Sequence, residues 1–341
     1  MHESKGASMQ RIINDPDQLV EDMLPGFLEA NKEIVHRSEA NPRTVVSNFC
    51  GGEPRVGIVT GGGSGHWPAF IGYCGQNMVD AVAVGEIFSS PTAKAFEQCV
   101  AEADQGKGVA ILYGNYAGDN MNVKMAMRKA KKAGIEVERV VANDDVASAS
   151  KDEPDKRRGV AGEVFMWKCG GAKAAMGGSL EEVIACAQKA IDNTRSIGIG
   201  LAPCTIPSNG KPNFSIEPGT MEVGIGHHGE PGVRVEPLKD ARGMADEMVE
   251  AVCADVPFGE GDEVALLISG LGATPVMEQY ILAARVFDDL RDRGISVYRS
   301  YVGNYFTSLE MNGITLTLMR LDDELKECID MPVRTPALVQ Q

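Results

Sequence analysis

Arg55-Val56-Gly57-Ile58-Val59-Thr60 runs without interruption into Gly61-Gly62-Gly63-Ser64-Gly65-His66-Trp67-Pro68. The first six residues read as a short buried strand. The next eight read as a glycine-rich loop at its carboxyl end, which is where open α/β sheets place ligands. Successive backbone N–H groups in such a loop can form an anion nest. The loop is not a P-loop, because no Gly-Lys-Ser/Thr follows. Ser64 is not a nucleophile elbow, because His66 stands where the last glycine would be. His66 has two readings, a structural histidine or a functional one, and its place in a loop at a strand end favours function.

The same pattern recurs on both sides of this stretch. Strands are expected at 82–88, 109–113 and 137–141, with helices at 92–103 and 121–133 between them. The strand at 109–113 delivers Gly114-Asn115-Tyr116-Ala117-Gly118-Asp119-Asn120. Asp119 is read as the cap of the following helix or as a chemical group, and one loop can serve both ends. Upstream, residues 17–31 have helical apolar spacing interrupted by Pro25. Downstream, 148–158 reads as an exposed charged loop and 160–176 as a helix broken at Gly170-Gly171. Ser179 with Glu182 reads as a capping box opening a helix to about residue 193. A boundary is expected near residue 190.

The second part carries strands at 196–201, 263–269, 295–301 and 313–319, with helices at 240–252 and 276–293. Two α/β domains are expected, 9–190 and 191–341. Each has a mixed or mostly parallel sheet flanked by helices.

Within the second part, Met221-Glu222-Val223-Gly224-Ile225-Gly226-His227-His228-Gly229-Glu230-Pro231-Gly232 places two adjacent histidines between glutamates and glycines. A short strand ending in a glycine-framed turn would hold imidazoles at a surface. Gly224, Gly226 and Gly229 fit G-x-G-x-x-G, but that fingerprint needs a helix directly after it, and Glu230-Pro231-Gly232 followed by Val233-Arg234-Val235 does not supply one. A metal site is disfavoured, since neighbours on a strand point to opposite faces and no cysteine or third histidine lies nearby. A plain structural turn remains an alternative.

The 341 residues suffice for two domains, and the net charge of −15 argues against non-specific nucleic-acid binding and against attraction to an anionic membrane. No apolar run approaches the roughly 20 residues of a membrane span. The polar residues 1–8 lack the apolar segment of a signal peptide, and Met9 is a possible natural start. Eight cysteines without a C-x-x-C pair fit reduced thiols in a cytoplasmic protein and disfavour zinc.

Taken together, these loops resemble the dihydroxyacetone-binding subunit family of dihydroxyacetone kinases. The resemblance runs nearly end to end. Its motifs are Gly61-Gly62-Gly63-Ser64-Gly65-His66, Gly85-Glu86-Ile87-Phe88-Ser89-Ser90-Pro91 and Asn115-Tyr116-x-Gly118-Asp119. Further matches are Arg157-Arg158-Gly159-Val160-Ala161, His228-Gly229-Glu230-Pro231-Gly232 and Leu271-Gly272-Ala273-Thr274-Pro275.

The resemblance implies that His228, rather than His227, bonds covalently to the ketone carbon as a hemiaminal. It makes His66 the second catalytic histidine and Asp119 a substrate-binding carboxylate, and it places Gly63, Ser64 and Gly65 at the substrate. It also implies a homodimer and a short ketose such as dihydroxyacetone as ligand. No cofactor is expected in this chain; nucleotide and Mg2+ are expected on a separate kinase subunit, with ATP or a phosphotransferase relay as donor.

The sequence departs from the family pattern at two positions. Trp67 stands where the family has Glu, and Gly114 where it has Lys. The departures have two readings, the paired loss of an ion pair or a pocket reshaped for a four-carbon ketose such as erythrulose; His227 would add to the second. A ketone-sensing regulatory protein is the alternative outside catalysis.

Overall fold

The computed structural model describes residues 10–256 and 258–341. The possible start at Met9 and the character of residues 1–8 lie outside them. After helix α1 (Leu19–Ala30), the first sheet takes β1 (Val35–Arg37), β2 (Thr44–Ser47), β3 (Gly57–Ser64), β4 (Ala81–Ile87), β5 (Val109–Gly114) and β6 (Val137–Ala142). Their order is β1-β2-β4-β3-β5-β6. The four strands from β4 to β6 are parallel, and β2 and β1 close one edge antiparallel.

Two helical layers cover this sheet. Helices α2 (Ala93–Ala103) and α3 (Ala117–Lys132) pack one face through Phe96, Val100, Val123 and Ala126. Helices α4 (Glu163–Ala175) and α5 (Leu180–Asp192) cover the other. Strands β2 to β5 are buried on both faces along most of their length, which is why they read as continuous apolar runs.

The second sheet uses β7 (Thr194–Ala202), the short ribbon β8 (Thr205–Ile206) and β9 (Lys211–Pro212) standing aside, then β10 (Thr220–Val223) and β11 (Arg234–Pro237). It is completed by β12 (Glu263–Gly270), β13 (Ser296–Gly303) and β14 (Asn312–Arg320). The order is β11-β10-β7-β14-β12-β13, and only β12 and β13 run parallel. The second half is therefore a mixed, mainly antiparallel sheet rather than a series of βα units.

Period-two alternation along β12 divides its side chains between two cores. Val264, Leu266 and Ile268 meet α6 (Ala241–Asp255) and α7 (Val276–Asp292), whereas Ala265 and Leu267 join a core shared with α4, α5 and α8 (Asp323–Asp330). That shared core, which also holds Leu24, Tyr73 and Trp167, spans both sheets.

Several local expectations change. Helix α1 continues through Pro25. Strand β3 continues through Gly61–Ser64, so most of the glycine run is strand rather than loop. Helix α4 is unbroken at Gly170-Gly171. A Cβ at Gly170 would lie 2.6 Å from the Leu112 side chain, and one at Gly171 would lie 2.4 Å from the Met78 carbonyl. These glycines therefore serve close packing, not a break.

Asp119 is not the cap of α3; Tyr116 is, and Asp119 is the third residue of the helix. The segment 148–158 is not wholly exposed. Arg157 is 2% exposed and makes a bidentate ion pair with Asp255 at 2.8 and 2.6 Å. The Ser179–Glu182 capping box forms as expected, with bonds of 3.3 and 2.8 Å. No described helix is long and apolar enough to cross a membrane.

Candidate active site

A cavity of about 240 Å3 opens where the carboxyl ends of β3, β4 and β5 meet the loop after β10 and the loop after β13. The two sheets thus contribute opposite walls. His66 comes from the end of β3, Asp119 from the first turn of α3, and His227 and His228 from the turn between β10 and β11.

His66 is 2% exposed, and its Nδ1 lies 2.8 Å from the Thr307 carbonyl oxygen. A carbonyl only accepts, so Nδ1 bears the hydrogen and Nε2 is directed into the cavity. The loop after β13 is tied to His66 on both sides. Thr307 N donates to the His66 carbonyl at 3.3 Å, and Thr307 Oγ1 donates to the Trp67 carbonyl at 2.8 Å. Burial, together with the charges of His228 and His227, holds the His66 imidazole well below the usual histidine range.

His228 is clamped by one glutamate twice. Glu230 Oε2 accepts from the His228 backbone N–H at 2.9 Å, and Glu230 Oε1 accepts from Nδ1 at 2.8 Å. Burial acts to raise the Glu230 carboxyl, but the hydrogen bonds and charge of His228 outweigh it and hold it down at about 2. A carboxylate on Nδ1 fixes the ring's tautomer and leaves Nε2 free. That Nε2 lies 3.1 Å from His66 Nε2. Phe88 stacks on His66 at 5.0 Å between centroids, and Tyr116 stands edge-on to His228 at 5.0 Å.

The arginine pair expected in a solvent-exposed loop instead supports this turn. Arg158 binds Asp145 Oδ2 at 2.9 Å and donates to the Gly224 carbonyl at 3.0 Å. A Cβ at Gly226 would lie 2.1 Å from Glu230 Oε2, so the glycine makes room for the clamp. No helix opens after Gly224, Gly226 and Gly229; β11 follows them.

Asp119 is 7% exposed. Ser90 Oγ donates to its Oδ2 at 2.6 Å, while its Oδ1 has no partner. Burial raises its carboxyl to about 6 against the lowering effect of Ser90. A buried polar atom without a partner in a cavity wall is a place where a ligand can bond.

Of the three remaining expected residues, Gly63 lines the cavity. Ser64 and Gly65 lie beside it: Ser64 Oγ donates to the Gly85 carbonyl at 2.7 Å, and the Gly65 carbonyl accepts from Leu309 N at 2.7 Å. Of the two departures, only Gly114 lines the cavity. Trp67 is 48% exposed and packs edge-on to Phe27 at 5.7 Å.

Sequence reasoning did not single out Glu163, Tyr116, Phe88, Phe306 or Thr307, which surround the same histidines. A glutamate inside the apolar run Val160–Met166 was the one visible signal, since Glu is almost never fully buried unless paired. Among the described residues no group of three His, Cys, Asp or Glu side chains is arranged to hold a metal ion.

With this geometry in place, comparison with known proteins shows the relationship. The Dak1 domain family model matches residues 25–337. The dihydroxyacetone-binding subunit of the PTS-dependent dihydroxyacetone kinase 2 of Listeria innocua is 43% identical, over 96% of this chain and 98% of that protein. A D-erythrulose kinase of Mycolicibacterium smegmatis is 40% identical over 96% of this chain but only 56% of that protein. The solved structure of a dihydroxyacetone kinase operon co-activator superposes with a TM-score of 0.88 at 32% identity, covering 94% of this chain and 98% of that one. The chain belongs to the Dak1 domain family.

Proposed function

We propose that this protein is the ketone-binding subunit of a dihydroxyacetone-type kinase, and that it holds a short ketose covalently on His228 while a partner subunit delivers the phosphoryl group. The single observation that carries this reading is the facing pair of Nε2 atoms, His66 and His228, 3.1 Å apart with both Nδ1 atoms engaged elsewhere.

Proton bookkeeping supports it. A neutral imidazole has one N–H. Each Nδ1 carries its ring's hydrogen toward Thr307 or Glu230, so two neutral rings present lone pairs at both Nε2 atoms. When a ketone enters, His228 Nε2 forms the bond to the carbonyl carbon and the C=O π pair moves to oxygen. That oxygen takes a proton from solvent, relayed through His66 Nε2, and becomes a hydroxyl. The alkylated His228 ring keeps its Nδ1–H and a positive charge, which the Glu230 carboxylate offsets. His66, buried and weakly basic, gives the relayed proton up readily.

Asp119 then serves the second step. Its unpartnered Oδ1 accepts the proton of a terminal hydroxyl as that oxygen attacks the phosphoryl donor. The nucleotide and its Mg2+ belong to the partner subunit, which supplies charge stabilisation for the transfer.

A sensing role, suggested by the structural likeness to a co-activator, would need capture alone. Asp119 and its buried free oxygen are surplus to capture, which favours the kinase. The test is phosphorylation of dihydroxyacetone by the purified chain mixed with a nucleotide-bearing kinase subunit and its donor. Product formation that is lost in His228→Ala and in Asp119→Asn is expected. Ketone binding by wild type with no phosphorylation under any donor would favour the sensor.

A further inference from the structure

The cavity holds more unpartnered polar atoms than a three-carbon ketone can serve. Glu163 is 1% exposed, lines the cavity, and its Oε2 has no partner. His227 is 2% exposed, also lines the cavity with its ring against Phe306 at 4.6 Å, and neither ring nitrogen has a partner. Asp119 Oδ1 is the third such group.

A captured dihydroxyacetone has three hydroxyls. One, on the former carbonyl carbon, belongs to His66, and one, to be phosphorylated, belongs to Asp119. The third could bond Glu163 and one ring nitrogen of His227, but the other nitrogen of that ring points away and would be left without a partner. Natural sites avoid a buried polar atom left unsatisfied.

Gly114 is what admits the Glu163 carboxyl. A Cβ at position 114 would lie 2.4 Å from Glu163 Oε1 and 3.1 Å from its carboxyl carbon, so any side chain there would displace it. The cavity, about 240 Å3, has room for a four-carbon as well as a three-carbon ketose.

Building on the capture reading above, we infer that Glu163, admitted by Gly114 and assisted by His227, is a specificity-determining residue that bonds a hydroxyl absent from dihydroxyacetone, so that the preferred substrate is a ketose of four carbons. Burial, and after it the charges of Asp144 and Asp119, push the Glu163 carboxyl well above the usual range. In its protonated form it both donates to and accepts from a hydroxyl. A site built to bond a hydroxyl discriminates strongly against the analogue lacking it.

The test measures dissociation constants of the full chain for dihydroxyacetone, D-erythrulose and L-erythrulose, with His228→Ala as the capture control. Wild type is expected to bind one erythrulose at least about tenfold more tightly than dihydroxyacetone, the worth of one good buried hydrogen bond. Glu163→Gln, which matches the protonated acid in shape, should keep that preference; Glu163→Ala should abolish it. If Glu163→Ala does not fold, Gly114→Ala, which pushes the carboxyl aside, should lower the ratio in the same direction. Equal or tighter binding of dihydroxyacetone by wild type overturns the inference and leaves capture intact. So does a ratio unmoved by Glu163→Ala and Gly114→Ala. Failure of all three ketoses to bind, or binding unchanged in His228→Ala, overturns capture itself and the inference with it.

Discussion

His66 and His228 meet Nε2 to Nε2 at 3.1 Å although they follow strands of different sheets and lie 162 residues apart in sequence. Their other ring nitrogens are engaged in opposite ways, His66 with a neutral carbonyl and His228 with a carboxylate. In the proposed capture that asymmetry would divide the work: the ring with the carboxylate carries positive charge after it bonds carbon, and the ring on the carbonyl passes a proton.

The division makes Glu230 a positioning residue whose charge matters more than its shape. Glu230→Gln keeps an oxygen that can accept from Nδ1 but removes the charge that offsets the alkylated ring. Charge-assisted hydrogen bonds are worth about 1.5–3 kcal/mol against about 0.5–1.5 for neutral ones. The dissociation constant for dihydroxyacetone should therefore rise about 5- to 10-fold, measured by calorimetry, while thermal unfolding shows the fold retained. An unchanged constant would mean that Glu230 does not stabilise the captured state.

Phosphoryl transfer should depend on pH through Asp119. Its carboxyl is raised to about 6, mainly by burial, and only the ionised form can take a proton. The rate with the partner subunit should be flat above this value and fall about tenfold per pH unit well below it. Acid supplied to Asp119 should not by itself release the ketone from His228. A profile with no acid limb near 6 at saturating ketone would contradict the role given to Asp119.

Arg157 is a matter of stability. It is 2% exposed, pairs Asp255 twice, and its own carbonyl accepts from Asn115 Nδ2 at 2.7 Å, just before the helix that carries Asp119. Breaking a buried pair by removing one partner costs about 3–5 kcal/mol. Asp255 also binds Arg195, so Arg157→Ala should lie near the lower end of that range. Denaturant unfolding measures it, and a loss below about 1 kcal/mol, the scale of an exposed pair, would show that the pair is not buried in solution.

The parts legible in the sequence are those encoded locally. The first half of strand β3, the glycine-framed turn around His228 and the capping box at Ser179 each follow from residues within a short window. His66, Asp119 and the pair His227–His228 stand out in the sequence because each follows a predicted strand or falls in a turn, whereas the choice of His228 over His227 rests on the family resemblance. The second sheet was less legible because its pairings are long-range: Leu316 on β14 meets Ile197 on β7 across more than a hundred residues. Apolar runs do not state whether their neighbours run parallel or antiparallel. Glu163 was missed for a related reason. It looks like one charge in a helical run, and the place of its carboxyl depends on Gly114, a residue on another element whose lack of a side chain leaves room for it. Arg157 was assigned to an exposed loop because its partner, Asp255, lies at the end of α6.

Covalent capture is tested most directly by the crystal structure of the protein soaked with dihydroxyacetone. The account predicts a tetrahedral ketone carbon bonded to His228 Nε2 at about 1.5 Å, the length of a single C–N bond, with its oxygen on His66 and a terminal hydroxyl on Asp119. The same soak of His228→Ala should show no ketone in that position. A planar ketone lying about 3 Å or more from Nε2, or one bound equally in His228→Ala, would contradict capture and leave His228 as a hydrogen-bonding residue only.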